Sequence, residues 1–216
     1  MWDKIIVFDL DDTLLSEIDF LHSAYREITA LIQPRLGEKL YSEIVQLYNG
    51  GGNVFEMLEA LYPKFSKQYL LECYRNHKPS LFLNKGALEV LKFCKEQGYI
   101  LGLISDGRAV TQRNKLKAAG IENYFDLIVI SEEFGSEKPT IANYETFYQF
   151  ESKEFYYIAD NPKKDFITPN QLGWKTICLL DSGRNIHKQD FEVSPEYLPS
   201  FYVKELKEIL DIITVI

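Results

Sequence analysis

The sequence predicts an α/β fold, a Rossmann-like parallel sheet flanked by helices, and three observations lead to it. Five short apolar runs, typical of strands buried on both faces, occur at 5–8, 99–104, 127–130, 155–159 and 176–180. Helical segments lie between them, and several end at a glycine such as Gly98 or Gly120. Strands that alternate with helices of this length are typical of a parallel sheet.

The alternation breaks once, between the first and second predicted strands. Residues 15–80 carry four helical patterns, at 20–32, 39–48, 54–61 and 68–76, separated by prolines and glycines. We therefore expect an α/β core formed by residues 1–14 and 81–216, with an all-helical domain inserted at residues 15–80. The core helices are predicted at 86–97, 108–119, 141–150, 162–172 and about 201–213.

Composition narrows the classes of partner. The chain has a net charge of −8 and a pI of about 5.0, which argues against a nucleic-acid backbone or an anionic membrane as partner. Its three cysteines are far apart, which favours reduced thiols and a cytoplasmic location. The apolar run at 5–8 is too short for a signal peptide, and no run approaches the ~20 residues of a membrane helix.

Polar residues follow four of the predicted strands. They are Asp9, Asp11, Asp12 and Thr13 after the first, Ser105, Asp106, Gly107 and Arg108 after the second, Lys138 some residues after the third, and Asp160 and Asp165 after the fourth. Ligands of open parallel sheets bind beyond the carboxyl ends of the strands, so we expect these residues to form one site.

The expected site is rich in carboxylates. Asp9, Asp11 and Asp160 would converge, and two like charges ~4 Å apart repel by about 4 kcal/mol at an effective dielectric constant near 20. A cation would offset this repulsion, and Mg²⁺ prefers such oxygen ligands. Lys138 would supply a second compensating charge. We therefore expect Asp9, Asp11 and Asp160 to hold a magnesium ion.

The same residues suggest phosphate chemistry. A carboxylate such as Asp9 can attack phosphorus and form an aspartyl-phosphate. Asp11 lies two residues further on, so it can face the same side, protonate the leaving alcohol and then activate water. Ser105 and the amides around Asp106 and Gly107 precede a predicted helix, and a helix N-terminus is a natural phosphate seat.

Four segments resemble the signatures of the haloacid dehalogenase superfamily. Residues 5–14 (IIVFDLDDTL) resemble the first signature, and 103–107 (LISDG) resemble the second, in which a Ser or Thr binds phosphate. Residues 136–139 (SEKP) resemble the third, which supplies the lysine, and 157–165 (YIADNPKKD) resemble the fourth, the acidic metal motif. The four occur in the family's order and span the whole core.

The resemblance implies a sheet ordered 5-4-1-2-3 and a helical cap of the C1 type at residues 15–80. It also implies that Mg²⁺ is held by the Asp9 carboxylate, the Asp11 backbone carbonyl and Asp160, with Asp165 in support. The phosphate is expected to contact Thr13, Ser105, Asp106, Gly107 and Lys138. Arg108 is a candidate for substrate contact or for a surface ion pair.

Two positions depart from the family's pattern, since Asp12 and Ala159 stand where many relatives have Gly. Asp11 matters more, because true dehalogenases lack an acid/base aspartate there. The resemblance thus implies a Mg²⁺-dependent phosphatase. Its expected substrate is a small phosphorylated metabolite such as a sugar phosphate, and nucleoside monophosphates and phosphoglycolate-like acids stay open. Two alternatives stay open: a phosphomutase of the same superfamily, and a non-catalytic binding module on the same scaffold.

Overall fold

A six-stranded parallel sheet forms the centre of the computed structural model, which describes residues 2–214. Its strands are β1 Trp2–Phe8, β2 Ile100–Ser105, β3 Leu127–Ile130, β4 Ser152–Ala159, β5 Lys175–Leu179 and β6 Phe201–Val203. They lie in the order β3-β2-β1-β4-β5-β6, and every neighbouring pair is parallel. The fold class is confirmed, and the first five strands have the predicted order, but the sixth strand was not predicted.

Four helices lie between β1 and β2: α1 Glu17–Ile32, α2 Gly37–Asn49, α3 Val54–Leu61 and α4 Lys67–Asn76. Each begins and ends within three residues of its predicted bounds. They share a hydrophobic core of their own, which includes Leu21, Ile28, Ile44, Leu58 and Leu70. We call these four helices the helical insertion. That residues 15–80 form a separate cap domain stays a prediction.

The remaining helices flank the sheet. They are α5 Ala87–Glu96, α6 Ala109–Ala118, α7 Ser131–Phe134, α8 Ile141–Glu145, α9 Ile167–Gln171 and α10 Ile209–Thr214. No helix in the described part of the chain is long and apolar enough to cross a membrane.

Three of the helix predictions need correction. The helix predicted at 201–213 is wrong at its start, because Phe201–Val203 forms a strand that pairs with β5. This pairing satisfies the backbone hydrogen bonds of both strands, and a periodic side-chain pattern does not reveal it. The helix predicted at 141–150 becomes a 3₁₀ turn from Thr146 onward. The helix predicted from Pro162 begins at Ile167, because Asn161 instead caps a turn, accepting from the Lys163 amide at 3.0 Å.

Strand β1 fixes the position of the site. Ile6 and Phe8 pack into the core on one face of the sheet, while Ile5 and Val7 pack into the core on the other. All four side chains are fully buried, and each contributes about 1.5–3 kcal/mol through burial. Because β1 lies between β2 and β4, its carboxyl end opens at the middle of the sheet edge.

Candidate active site

Asp9 follows β1 directly and is tied to the neighbouring strand, since its amide donates to the Ile158 carbonyl at 2.8 Å. The Lys138 ammonium donates to Asp9 Oδ1 at 2.8 Å and pairs with Asp165 Oδ1 at 2.8 Å. Burial alone would lower the pKa of Lys138, but Asp165 and Asp9 outweigh it and raise that pKa well above its usual value. Lys138 therefore stays charged and binds two buried carboxylates together.

Asp9, Asp160 and Asp165 form a buried carboxylate cluster whose oxygens all lie within 4.8 Å of one another. Burial, with the charges of Asp165 and Asp9, raises the pKa of Asp160 to about 9. Burial also outweighs Lys138 and raises the pKa of Asp9 to about 6. Three carboxylates thus share one buried ammonium, and such a set fits a hard divalent cation such as Mg²⁺. A ligand role for the Asp11 backbone carbonyl stays a prediction.

Asp11 is held from helix α6. Both of its carboxylate oxygens contact the Lys115 ammonium, at 2.6 and 2.8 Å, and Oδ2 also accepts from Gln112 Nε2 at 2.8 Å. The same Gln112 nitrogen lies 2.5 Å from Ser105 Oγ and 3.1 Å from the Asp106 carbonyl. One amide group therefore links the predicted proton carrier to the predicted phosphate-binding turn.

The residues after β2 divide into two groups. The Asp106 carboxylate accepts from the Lys138 amide at 3.0 Å and pairs with the Lys164 ammonium at 3.1 Å, which joins it to the site. The Gly107 amide instead donates to Ser131 Oγ at 2.9 Å. Arg108 forms a half-exposed ion pair with Glu132 at 2.5 Å. Gly107 and Arg108 therefore lie on an adjacent surface.

Thr13 lies beneath the site. Its side chain is fully buried, and its hydroxyl finds no hydrogen-bond partner within residues 2–214. Its carbonyl accepts from the Asn84 amide group at 2.9 Å. The phosphate-binding roles predicted for Thr13, Ser105, Asp106, Gly107 and Lys138 stay predictions, and of these residues Ser105 and Asp106 line the cavity.

A cavity of about 130 Å³ opens above Asp9. Its lining consists of Asp9, Asp11, Asp12, Glu17, Ser105, Asp106, Asp160, Asn161, Lys164 and His187. Sequence reasoning assigned no role to Glu17, Lys164 or His187. Lys164 lies inside the fourth signature and Glu17 lies six residues after Asp11, so closeness to a signature in the sequence could have marked both as site residues. His187 comes from the segment after β5, for which the sequence offered none.

Asp12 explains one departure from the family pattern. Its backbone adopts φ +55°, a left-handed conformation in which Gly is favoured and Asp is tolerated. In return, its carboxylate accepts from the Glu17 amide at 2.8 Å and from the Ile186 amide at 3.2 Å. Asp12 thus ties the start of α1 and the segment after β5 to the loop that follows β1.

The fold is that of an α/β protein with a parallel sheet, and the buried carboxylates and Lys138 lie at the carboxyl edge of that sheet, where ligands of such folds bind. The chain belongs to the family of haloacid dehalogenase-like hydrolases, which matches residues 6–179.

Relatives and solved structures that resemble this chain include phosphatases of this family. A glyceraldehyde 3-phosphate phosphatase of Methanocaldococcus jannaschii is 28% identical over 97% of this chain and 96% of its own length. A phosphoglycolate phosphatase of Aquifex aeolicus is 29% identical over 63% of this chain and 65% of its own length. The crystal structure of a HAD phosphatase from Thermococcus onnurineus has the same fold, with a TM-score of 0.63, 17% identity and 98% of each chain covered. The predicted family and class of enzyme, a phosphatase-like hydrolase, are confirmed.

Proposed function

We propose that this chain is a Mg²⁺-dependent phosphatase that hydrolyses a small phosphate monoester through a phospho-aspartate on Asp9. The observation that carries the proposal is the buried Asp9 carboxylate, which accepts from Lys138 at 2.8 Å and lies within 4.8 Å of the Asp160 and Asp165 oxygens. The relatives named as phosphatases of glyceraldehyde 3-phosphate and of phosphoglycolate support a small phosphate ester as substrate.

In the first step, an Asp9 carboxylate oxygen attacks phosphorus and the bond from phosphorus to the ester oxygen breaks. Asp11 donates a proton to the departing oxygen, so the product leaves as an alcohol. Ser105 donates to a phosphoryl oxygen, and Lys138 offsets the charge around Asp9. Mg²⁺, held by Asp9, Asp160 and the Asp11 carbonyl with Asp165 in support, would supply the positive charge that the phosphoryl oxygens need.

In the second step, Asp11 takes a proton from water, and the water oxygen attacks phosphorus. The acyl-phosphate bond breaks, inorganic phosphate leaves and the Asp9 carboxylate is restored. The helical insertion would cover the site during the attack and exclude other water.

The cavity favours a short substrate. Its volume of about 130 Å³ is well below the ~300 Å³ at which pockets for drug-sized ligands begin. A small phosphorylated metabolite fits this space, and sugar phosphates of few carbons remain candidates. The net charge of −8 speaks for a metabolite over a nucleic acid as partner. A cytoplasmic location stays a prediction.

The test is phosphate release from a panel of phosphorylated metabolites in Mg²⁺, followed by acid quenching to trap a phosphoprotein. Asp9→Asn should abolish turnover and the phosphoprotein while the thermal midpoint stays close to that of the parent. Asp3→Asn, an exposed change on β1, the strand that precedes Asp9, is the matched control. An isomerised ester without free phosphate would favour the phosphomutase, and no reaction with any ester would favour a binding module.

A further inference from the structure

Glu17 differs from the other carboxylates that line the cavity. The other five each have a partner: Asp9 with Lys138, Asp11 with Lys115, Asp12 with two backbone amides, Asp106 with Lys164, and Asp160 with Asn185. Within residues 2–214, the Glu17 carboxylate forms no hydrogen bond and no ion pair, while the Glu17 amide donates to the Asp12 carboxylate. A half-buried carboxylate of this kind is open to a donor on a ligand.

Glu17 lines the cavity from a different part of the fold than Asp9 does. It is the first residue of α1, so it contributes to the cavity from the helical insertion, whereas Asp9 and Ser105 contribute from the sheet edge. Burial and then the charge of Glu17 raise the pKa of both Tyr48 and Tyr74, so these rings of the insertion lie within its electrostatic reach. An ester with its phosphorus at Asp9 would therefore meet Glu17 through its leaving group, because Glu17 lines the same cavity from the helical insertion.

The charge around this position is negative. Six carboxylates line the cavity, against one ammonium group of the lining, that of Lys164. Lys138 and Lys115 are already engaged with Asp9 and Asp11. Burial and the charge of Asp11 raise the pKa of Glu17 to about 7, as expected where negative charge is in surplus. A divalent cation at the Asp9, Asp160 and Asp165 cluster would leave the Glu17 side of the cavity without a partner.

We propose that Glu17 selects phosphate esters whose leaving group is uncharged and bears a hydroxyl, and that it repels esters with a carboxylate or a second phosphate there. This inference rests on the proposed phosphatase function. A hydroxyl donates to the free carboxylate, whereas an anionic group meets a like charge in a poorly solvated site. The relative named for glyceraldehyde 3-phosphate, which has an uncharged leaving group, is 28% identical to this chain, and the relative named for phosphoglycolate, which has a carboxylate there, is 29% identical. Overall identity therefore does not separate the two substrate classes, whereas the charge of Glu17 does.

The test compares glycerol 3-phosphate with 3-phosphoglycerate, which share three carbons and the 2-hydroxyl and differ by the carboxylate. At about pH 8.5, where Glu17 is charged because its pKa is about 7, we expect kcat/KM of the intact protein to favour glycerol 3-phosphate by about tenfold or more, as for one unscreened like charge nearby. Glu17→Gln should reduce this ratio by about tenfold, while Glu17→Asp, which keeps the charge, should retain the preference. Glu27→Gln, an exposed change on the same helix, should leave both rates unchanged.

Equal hydrolysis of the two esters by the intact protein would overturn the inference, whatever the variants do. An unchanged ratio in a Glu17→Gln protein with the parent's thermal midpoint would overturn it too. In either case phosphate is still released, so the proposed function stands. No phosphate release from either ester, nor from p-nitrophenyl phosphate, would instead refute the proposed function and the inference with it.

Discussion

Lys115 holds both carboxylate oxygens of Asp11, at 2.6 and 2.8 Å from its ammonium nitrogen, although 104 positions separate the two residues. The Lys115 side chain is only 4% exposed, and its nitrogen lies 4.5 Å from the centre of the Phe20 ring on α1. A buried cation from α6 thus lies between the proposed proton carrier and the helical insertion. It fixes where the Asp11 carboxylate can be.

Lys115→Met should lower kcat by about tenfold or more, because general acid–base catalysis depends on the position of the proton carrier. KM should change much less, since Lys115 does not line the cavity. Steady-state kinetics on any ester that the protein hydrolyses would measure both constants. Lys115→Arg keeps the charge and should recover part of kcat.

Lys117→Met is the matched control, because Lys117 is exposed on the same helix and contacts none of the site residues. If Lys115→Met had the kcat of the parent at an unchanged thermal midpoint, the ion pair would have no role in positioning Asp11.

Lys138→Met should destabilise the metal-free protein by about 3–5 kcal/mol at pH 8, since it strands two buried carboxylates. The three side chains concerned, those of Lys138, Asp9 and Asp165, are 1%, 8% and 0% exposed. Urea unfolding in EDTA would measure the free energy of unfolding. The cost should shrink at pH 5, where a carboxylate can take up a proton. A loss as small as that of Lys163→Met, which breaks a surface pair with Asp190, would contradict the expected cost.

The stability of the metal-free protein should fall as pH rises. In the folded state the pKa of Asp160 is about 9, above its ordinary value of 3.8, so between these values the folded protein binds a proton that the unfolded chain has lost. Folding is therefore favoured below this window and loses stability progressively from about pH 4 to about pH 9. Thermal midpoints measured in EDTA across this range would show the slope. Asp160→Asn should flatten it, and an equal slope in both proteins would exclude Asp160 as its source.

Mg²⁺ should raise the thermal midpoint of the protein more at pH 8 than at pH 6, because the cation competes with protons for the carboxylate cluster. Asp160→Asn should lose most of this increase and should need more Mg²⁺ for activity. Titration of Mg²⁺ at each pH, followed by thermal unfolding and by phosphate release, gives both readouts. A metal dependence unchanged by Asp160→Asn would count against Asp160 as a ligand.

The sequence predicted what depends on local pattern. Apolar runs revealed five strands, and the polar residues that follow them led to Asp9, Lys138, Asp160 and Asp165, which the structure brings together. Strand β6 was not predicted, because only one of its three side chains is buried and the sequence therefore has no apolar pattern that indicates its pairing with β5.

The role of Lys115 as the partner of Asp11 was not predicted, for another reason. Its partner Asp11 is distant in sequence, and a lone lysine on a helix is usually solvated. Gln112 and Lys115 are three residues apart on α6, hence on one helical face, and both lie close behind the second signature. That spacing was the available signal for a polar face directed at the site.

The Asp12 carboxylate has a mechanical consequence. It accepts one amide from the start of the helical insertion and another from Ile186, and the neighbouring Asn185 donates to Asp160 at 2.8 Å. If α1 moves away from the sheet to admit a substrate, then either the hydrogen bond from the Glu17 amide to Asp12 breaks, or Asp12 shifts the segment that contains Asn185 and Ile186. As long as Glu17 stays bound to Asp12, a displacement of α1 is therefore transmitted to the segment that holds Asp160.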